Sequence, residues 1–254
     1  MSDEVLVEVD GGVAVITINR PKAKNAINTA VAQGIAAALD ELEARRDVAV
    51  YVLTGAGGTF CSGMDLKAFA AGEFPSVPGR GFAGITEAPP GKPTIAAVEG
   101  YALAGGFELV LSCDLVVASE EASFGLPEPK RGLVAAAGGL LRLPRRIPYH
   151  LAMEMALTGD FYPAAKLQEF GLVNRITPAG RALAEAKALA AKIAANAPLA
   201  LAATKRIIVE SADWSRAEMF AKQQEIVGPV FASKDAKEGA VAFAEKRAPR
   251  WSGE

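Results

Sequence analysis

Two short apolar runs limit what this chain can fold into. Residues 48–53 and residues 94–98 are rich in β-branched side chains, carry no charge, and are each followed within two residues by glycine. Uninterrupted runs of this kind are typical of strands that are covered on both faces. A third run, residues 115–118, follows a helix-like segment at residues 105–113. The alternation of strands and helices predicts an α/β core.

Patterns at the start of the chain add elements to this core. Residues 5–9 and 13–18 are β-rich and separated by a glycine turn, so they predict a two-stranded hairpin. Thr29 is the predicted cap of a helix that ends near residue 46. Residues 72–93 are rich in glycine and proline, and we expect them to form a surface loop or lid.

Helical patterns predominate after residue 144. The predicted helices span residues 149–157, 180–196, 199–210 and 214–231. We divide the chain into residues 1–195, which hold the α/β core and the candidate site, and residues 196–254, a helical C-terminal region.

Composition excludes several classes of protein. The 27 basic and 29 acidic residues leave a net charge of -2, so no overall field favours nucleic acid or an anionic membrane. Cys61 and Cys113 lack metal-ligand spacing, and the single histidine, His150, rules out a multi-histidine metal site. The chain begins with acidic residues and has no apolar run of ~20 residues. We expect a cytoplasmic protein with reduced thiols, no metal, and no nucleic-acid or membrane partner.

Two glycine-rich segments do not fit nucleotide binding. Residues 100–105 have the glycine spacing of a phosphate loop, but glycine and phenylalanine occupy positions 106–107, where that loop needs lysine and Ser/Thr. Residues 55–58 follow a strand, but Phe60 stands where the dinucleotide pattern has its third glycine.

The first candidate catalytic group lies in residues 100–114, GYALAGGFELVLSCD. Glycines at a helix start let a ligand reach unpaired backbone N–H groups, where the helix dipole adds positive potential. Glu108 follows among apolar side chains, and burial there would raise the pKa of its carboxyl group. A helix-start glutamate that points into water explains this segment equally well.

A second carboxylate, Glu128, lies between Pro127 and Pro129, which restrict its loop. The interval from Glu108 is long enough for a helix, a strand and a turn, so the chain can fold back and bring both carboxylates together. Two glutamates at one site can act as acid and base, because their repulsion separates their pKa values. A glutamate on a surface turn is the alternative.

Several segments resemble the crotonase (enoyl-CoA hydratase/isomerase) superfamily, in order and spacing, along nearly the whole chain. These segments are NRP at 19–21, NA at 25–26, TG at 54–55, FCSGMDL at 60–66, GYALAGGFEL at 100–109 and FGLPE at 124–128. The resemblance implies a spiral core of repeated ββα turns with a helical C-terminal oligomerisation region. Ala104 departs from the pattern, since many relatives have a third glycine there.

The resemblance also implies a site and a reaction. The backbone N–H groups of Met64 and Gly105 would form an oxyanion hole for a thioester oxygen. Glu108 and Glu128 would hold a water molecule between them, with Glu128 protonating the α-carbon. No cofactor is implied, because coenzyme A is part of the acyl-CoA thioester substrate.

Coenzyme A contacts and assembly follow from the same resemblance. The implied contacts are Lys22, Ala23, Ala26, Asp65, Leu66 and Lys67, with Phe243 and Lys246 supplied by a neighbouring subunit. The implied assembly is a homotrimer or a dimer of trimers.

The implied activity is that of an enoyl-CoA hydratase, because related isomerases generally retain only one of the two acids. Residues 81–87, 140–144 and 242–247 are similar to the carnitinyl-CoA dehydratase branch of the superfamily, which is the first alternative. An enoyl-CoA isomerase and a non-catalytic acyl-CoA-binding relative are the others.

Overall fold

The computed structural model describes residues 3–254; residues 1 and 2, where the predicted core begins, lie outside them. The strands are β1 (Val5–Asp10), β2 (Val13–Ile18), β3 (Val50–Gly55), β4 (Ser76–Val77), β5 (Gly81–Phe82), β6 (Thr94–Val98), β7 (Tyr101–Leu103), β8 (Leu115–Ser119), β9 (Ser123–Gly125), β10 (Tyr162–Pro163) and β11 (Arg175–Thr177). The α-helices are α1 (Thr29–Glu43), α2 (Leu66–Ala70), α3 (Gly105–Ser112), α4 (Gly139–Arg142), α5 (Tyr149–Thr158), α6 (Ala164–Glu169), α7 (Ala182–Ala194), α8 (Pro198–Glu210), α9 (Met219–Phe231) and α10 (Lys234–Glu245). Short 3-10 turns lie at Pro21–Ala23, Glu128–Arg131, Leu143–Arg145 and Ser211–Asp213.

A six-stranded sheet with the order β1-β2-β3-β6-β8-β11 forms the main layer. Its first two strands are the predicted antiparallel hairpin, and the other neighbours pair in parallel. A second sheet, β10-β9-β7, lies beside it. After β6 the chain enters β7, and after β8 it enters β9, so successive turns give one strand to each sheet. This is the expected ββα spiral, and the predicted α/β class is confirmed.

The two faces of the main sheet pack into different parts of the core. On β3, Val50 and Val52 face α7, whereas Tyr51 and Leu53 join the larger cluster that contains α1 and α3. Because both faces are covered, this strand has no polar side, which explains its uninterrupted apolar sequence.

The helices differ from the predictions in several places, of which three are the clearest. Asn28, and not Thr29, caps α1, since its Oδ1 accepts the N–H of Val31 at 2.9 Å. The helix predicted from residue 214 starts at Met219, because a 3-10 turn comes first and Trp214 is extended. Helix α10 is absent from the predicted set.

The prediction of a surface loop is wrong for part of residues 72–93. Strands β4 and β5 form a small hairpin, and residues 82–86 are buried. Ile85 is 1% exposed within the main core cluster. A few apolar side chains anchor this segment in the core. The glycine and proline content of the segment as a whole nevertheless predicts a surface loop. Among residues 3–254, no helix has the length and apolar character needed to cross a bilayer.

Candidate active site

The pairing of β7 with β9 brings the two glutamates to one place. Leu103 pairs with Gly125, and the N–H of Ala104 donates to the Gly125 carbonyl at 2.9 Å. The segment after β7 enters the first turn of α3, which carries Glu108. The segment after β9 enters the 3-10 turn that begins at Glu128. Parallel strands that end together deliver the residues after them to the same edge. The predicted convergence therefore has a simple structural cause.

Glu108 is buried and accepts hydrogen bonds from two backbone amides. The residue as a whole is only 3% exposed. Its Oε1 accepts the N–H groups of Ala137 and Gly139, each at 2.8 Å. Burial raises the pKa of Glu108, while the two amides and the Arg142 charge oppose this rise. The alternative of a glutamate pointing into water is wrong.

Glu128 has the opposite environment. It is 9% exposed, and its Oε2 is buried without a hydrogen-bond partner among residues 3–254. Burial raises its pKa to about 7, with the negative charge of Glu108 contributing in the same direction. A surface-turn glutamate would keep its solvent, so that alternative is also wrong.

The two carboxyl groups are therefore suited to different tasks. Glu108 has donors directed at its anion, which favour the ionised form of a general base. Glu128 has none on its buried oxygen and carries a proton for much of the time near neutral pH, as a general acid requires. Separation of two neighbouring pKa values is a common mark of an acid–base pair.

Within the described residues, the Met64 amide is left without a backbone partner by the pairing of its two neighbours with Ile27. Ile27 donates to the Gly63 carbonyl at 2.8 Å and accepts from the Asp65 N–H at 2.9 Å. In a parallel bridge of this form, the N–H of the middle residue points to the opposite side. Across the described chain, the Met64 N–H donates to no protein acceptor.

The Gly105 amide lies close to the same point. It begins α3 and likewise has no acceptor within residues 3–254. A Cβ added to Gly63 would lie 3.2 Å from the Gly105 nitrogen and 2.8 Å from the Ala104 Cβ. Two N–H groups without acceptors on adjacent segments are donors of the kind that can stabilise a negative oxygen.

Ala104 is strained where many relatives have glycine. Its backbone has φ 51° and ψ -129°, a region that L-residues rarely adopt. Its methyl group is accommodated because position 63 has no side chain.

Phe82 supports the start of α3. A Cβ on Gly105 would lie 2.6 Å from two carbons of the Phe82 ring, so the ring rests directly on this glycine. The segment expected to be a lid therefore contributes a fixed wall behind the predicted oxyanion donor.

The predicted coenzyme A contacts of the N-terminal half lie on two joined segments. Arg20 donates to the Ala26 carbonyl at 2.5 Å and pairs with Asp65 at 3.0 Å. Burial would raise the pKa of Asp65, but the hydrogen bonds from Arg20 and two amides outweigh it and lower the pKa. The Asp65 carboxylate thus caps α2 and joins the segments.

The remaining predicted contacts differ in exposure. Lys22, Leu66 and Lys67 are exposed, while Ala23 is half-buried. Phe243 is 88% exposed on α10, and Lys246 ends that helix with φ 54°. No hydrogen bond or ion pair of the described residues joins these two to residues 22–26 or 64–67.

Sequence reasoning missed the partners of Glu108 and the role of Phe82. The amides of Ala137 and Gly139 belong to a run of small residues, AAAGG at 135–139, shortly after Glu128. A run of small residues indicates that another group approaches the backbone closely. This pattern could therefore have indicated that residues 135–139 contact the site.

A spiral of ββα turns that carries two buried carboxylates beside two free amides defines an acyl-CoA hydratase or isomerase type of site. The chain matches the enoyl-CoA hydratase/isomerase family over residues 8–254, and it belongs to that family. The enoyl-CoA hydratase EchA1 structure from Mycobacterium marinum is 60% identical, covers 100% of both chains, and superposes with a TM-score of 0.98.

Two further relatives carry different names. The enoyl-CoA hydratase EchA19 of Mycobacterium tuberculosis is 43% identical over 98% of this chain and 96% of its own. The carnitinyl-CoA dehydratase of Proteus mirabilis is 41% identical over 100% of both. The resemblance drawn from the motifs is confirmed.

Proposed function

We propose that this protein is an enoyl-CoA hydratase, a hydro-lyase that adds water reversibly, in syn geometry, to a 2-enoyl-CoA and gives a 3-hydroxyacyl-CoA. The observation that carries the proposal is the contrast between the two carboxyl groups. Glu108 accepts two amide hydrogen bonds, whereas Glu128 has a pKa of about 7 and an unpaired buried oxygen.

The proposed reaction begins with water between the two glutamates. Glu108 accepts a proton from this water while the water oxygen bonds to the β-carbon, and neutral Glu128 gives its proton to the α-carbon. Negative charge develops on the thioester oxygen as the double bond is consumed. The N–H groups of Met64 and Gly105 stabilise that charge, and such a donor is worth roughly 10²–10³ in rate. The two proton transfers contribute ~10²–10⁴.

No metal or redox cofactor takes part in this proposal, since coenzyme A arrives with the substrate. Its phosphates and adenine would meet the basic segment near Lys22 and the start of α2 at Leu66 and Lys67. The exposed Phe243 and Lys246 would complete the site of a neighbouring subunit in a homotrimer or a dimer of trimers. Phe243 is 88% exposed, so it is accessible to a neighbouring subunit. We further propose a cytoplasmic location.

Turnover tests the function directly. Purified protein is given crotonyl-CoA, longer 2-enoyl-CoAs, a 3-enoyl-CoA and crotonobetainyl-CoA, and products are identified by the mass of added water. E108Q and E128Q should each lower kcat by more than ~10²-fold with little change in KM. E121Q, which alters an exposed carboxylate, is the matched control.

Other outcomes would replace the proposal. Faster conversion of the 3-enoyl-CoA than of any 2-enoyl-CoA would identify an isomerase. Tight binding without turnover would identify a non-catalytic acyl-CoA-binding protein. Light scattering that gives a monomer at micromolar concentration would remove the shared coenzyme A site.

The carnitinyl-CoA dehydratase activity is a second candidate because the relative of that name aligns over the full chain. A quaternary ammonium group is recognised by aromatic faces or acids, and Phe82 lies beside Gly105. Preference for crotonobetainyl-CoA over crotonyl-CoA in the panel would establish it. The higher identity to structures named enoyl-CoA hydratase supports the general activity first.

A further inference from the structure

Arg142 contacts the turn that holds Glu108. Its Nη1 donates to the Ala137 carbonyl at 3.4 Å. Gly138 has φ 94°, and a Cβ at this position would lie 2.2 Å from Nη1, so the guanidinium rests on the α-carbon of Gly138. The N–H groups on either side of Gly138 are the two that bind the Glu108 carboxylate. Arg142 therefore contacts residues 137–139, the segment whose amides bind Glu108 and which we call the clamp.

The other arm of the guanidinium reaches the segment that supports α3. Nη2 of Arg142 donates to the Thr86 carbonyl at 2.5 Å. Thr86 donates its own N–H to the Phe82 carbonyl, and the Phe82 ring rests on Gly105. One side chain thus connects the clamp of the proposed base with the support of a proposed oxyanion donor.

Arg142 keeps its charge in an unfavourable setting. It is half-buried, burial is the main cause that lowers its pKa, and the nearby Arg146 charge acts in the same direction. Its hydrogen bonds go to carbonyl groups, and no carboxylate of residues 3–254 forms an ion pair with it. A partly desolvated charge without a counter-ion is destabilising. The negative group that benefits from it is Glu108.

We propose that Arg142 is a positioning residue of the active site, which fixes the Ala137–Gly139 clamp on Glu108 and couples that clamp to residues 82–86 behind Gly105. The inference rests on the proposed function, because it gives Glu108 the role of the base. The guanidinium reaches the two carbonyls with different nitrogen atoms of one rigid plane, whereas a lysine would have to reach both from its single nitrogen.

Few charged side chains face Glu108. Arg142 faces it from α4, and Glu128 faces it from the 3-10 turn after β9. Arg131 lies farther along that turn and acts on Glu128. Strand β7, which packs on α3, has no charged side chain. Loss of the Arg142 charge therefore removes the positive charge that favours the ionised form of Glu108.

The test compares R142M and R142K with R146M. Arg146 donates to the Cys113 carbonyl at 2.9 Å from the next turn of the chain, so R146M removes a similar hydrogen bond away from Glu108. For R142M we expect kcat to fall ~10–100-fold with KM within ~3-fold, since small displacements of a catalytic group have effects of this size. The acidic limb of its kcat–pH profile should move to higher pH, because Glu108 loses a charge that favours its ionised form. R142K should keep the limb and still lose ~5-fold or more in kcat, and R146M should match the wild type in both.

Hydrogen exchange provides a readout that does not depend on turnover. The amides of residues 137–139 and 82–86 should exchange faster in R142M and R142K than in R146M. If wild-type protein hydrates no enoyl-CoA, the proposed function fails, and the exchange data alone decide whether Arg142 fixes the clamp. Wild-type kcat in R142K, or equal exchange in the R142 and R146 variants, would overturn the inference. R142K keeps the charge, so it serves as the deciding variant where R142M does not fold.

Discussion

Replacement of Glu128 by glutamine should make the protein more stable at alkaline pH while it removes activity. The folded state holds a proton on Glu128 up to a pKa of about 7, whereas the ordinary glutamate value is 4.5. Between these values the unfolded chain has released a proton that the folded protein keeps. The stability that protonated Glu128 contributes is therefore complete below pH 4.5 and is lost as pH rises through about 7.

The size of the effect follows from the shift. A rise from 4.5 to about 7 corresponds to roughly 3 kcal/mol at ~1.4 kcal/mol per pKa unit. Residual solvent around a partly open site reduces this, so we expect E128Q to exceed the wild type by ~1–2 kcal/mol at pH 8. At pH 5 the folded state keeps Glu128 neutral and ionisation of the unfolded chain has only begun to lower stability, so the two proteins should differ much less.

Urea unfolding at pH 5 and pH 8 measures this difference. Both proteins are compared at one protomer concentration, because assembly shifts apparent stability. E121Q, which removes an exposed carboxylate, controls for the change in net charge. An E128Q protein that gains nothing over the wild type between pH 5 and pH 8 would refute the reasoning, since Glu128 would then ionise in the folded state without penalty.

Three further predictions concern neighbouring features. Because Glu128 must carry the proton for the α-carbon, kcat/KM for hydration should fall about tenfold per pH unit above about 7, and a flat rate–pH profile across this range would contradict its role as acid. A104G should raise stability by ~1 kcal/mol in urea unfolding, since glycine accepts φ 51° without strain; a loss of stability would show that the methyl contact with Gly63 matters more. G139A should lower kcat ~10²-fold, because its Cβ would lie 2.9 Å from the Glu108 Cγ, while G228A, which meets no atom within 4 Å, should leave kcat unchanged; equal rates in the two variants would speak against the clamp.

The sequence predicted the parts of the site that are local. Glycines at 105–106 and the proline pair around Glu128 are visible in short windows, and the matching order of motifs identified the family. The apolar runs of β3, β6 and β8 were recognised because burial on both faces leaves a clear sequence pattern.

Contacts between distant segments were not predictable in the same way. The run of small residues at 135–139 indicates a close approach of the backbone, but it does not show which side chain the amides of Ala137 and Gly139 bind, since every residue except proline has an N–H group. Arg142 resembles any helix-surface arginine until the fold brings Thr86 beside it. The prediction that residues 82–86 belong to a surface loop is wrong because it rests on the average composition of residues 72–93. Their burial depends on individual side chains such as Phe82 and Ile85.

A crystal structure of E128Q with a bound 2-enoyl-CoA tests the central claim most directly. The account predicts the thioester oxygen within ~2.7–3.1 Å of both the Met64 and Gly105 nitrogens, and a water molecule between Glu108 and the side chain at position 128, beside the β-carbon. A thioester bound away from these two amides, or a double bond that neither side chain at 108 and 128 approaches, would contradict it.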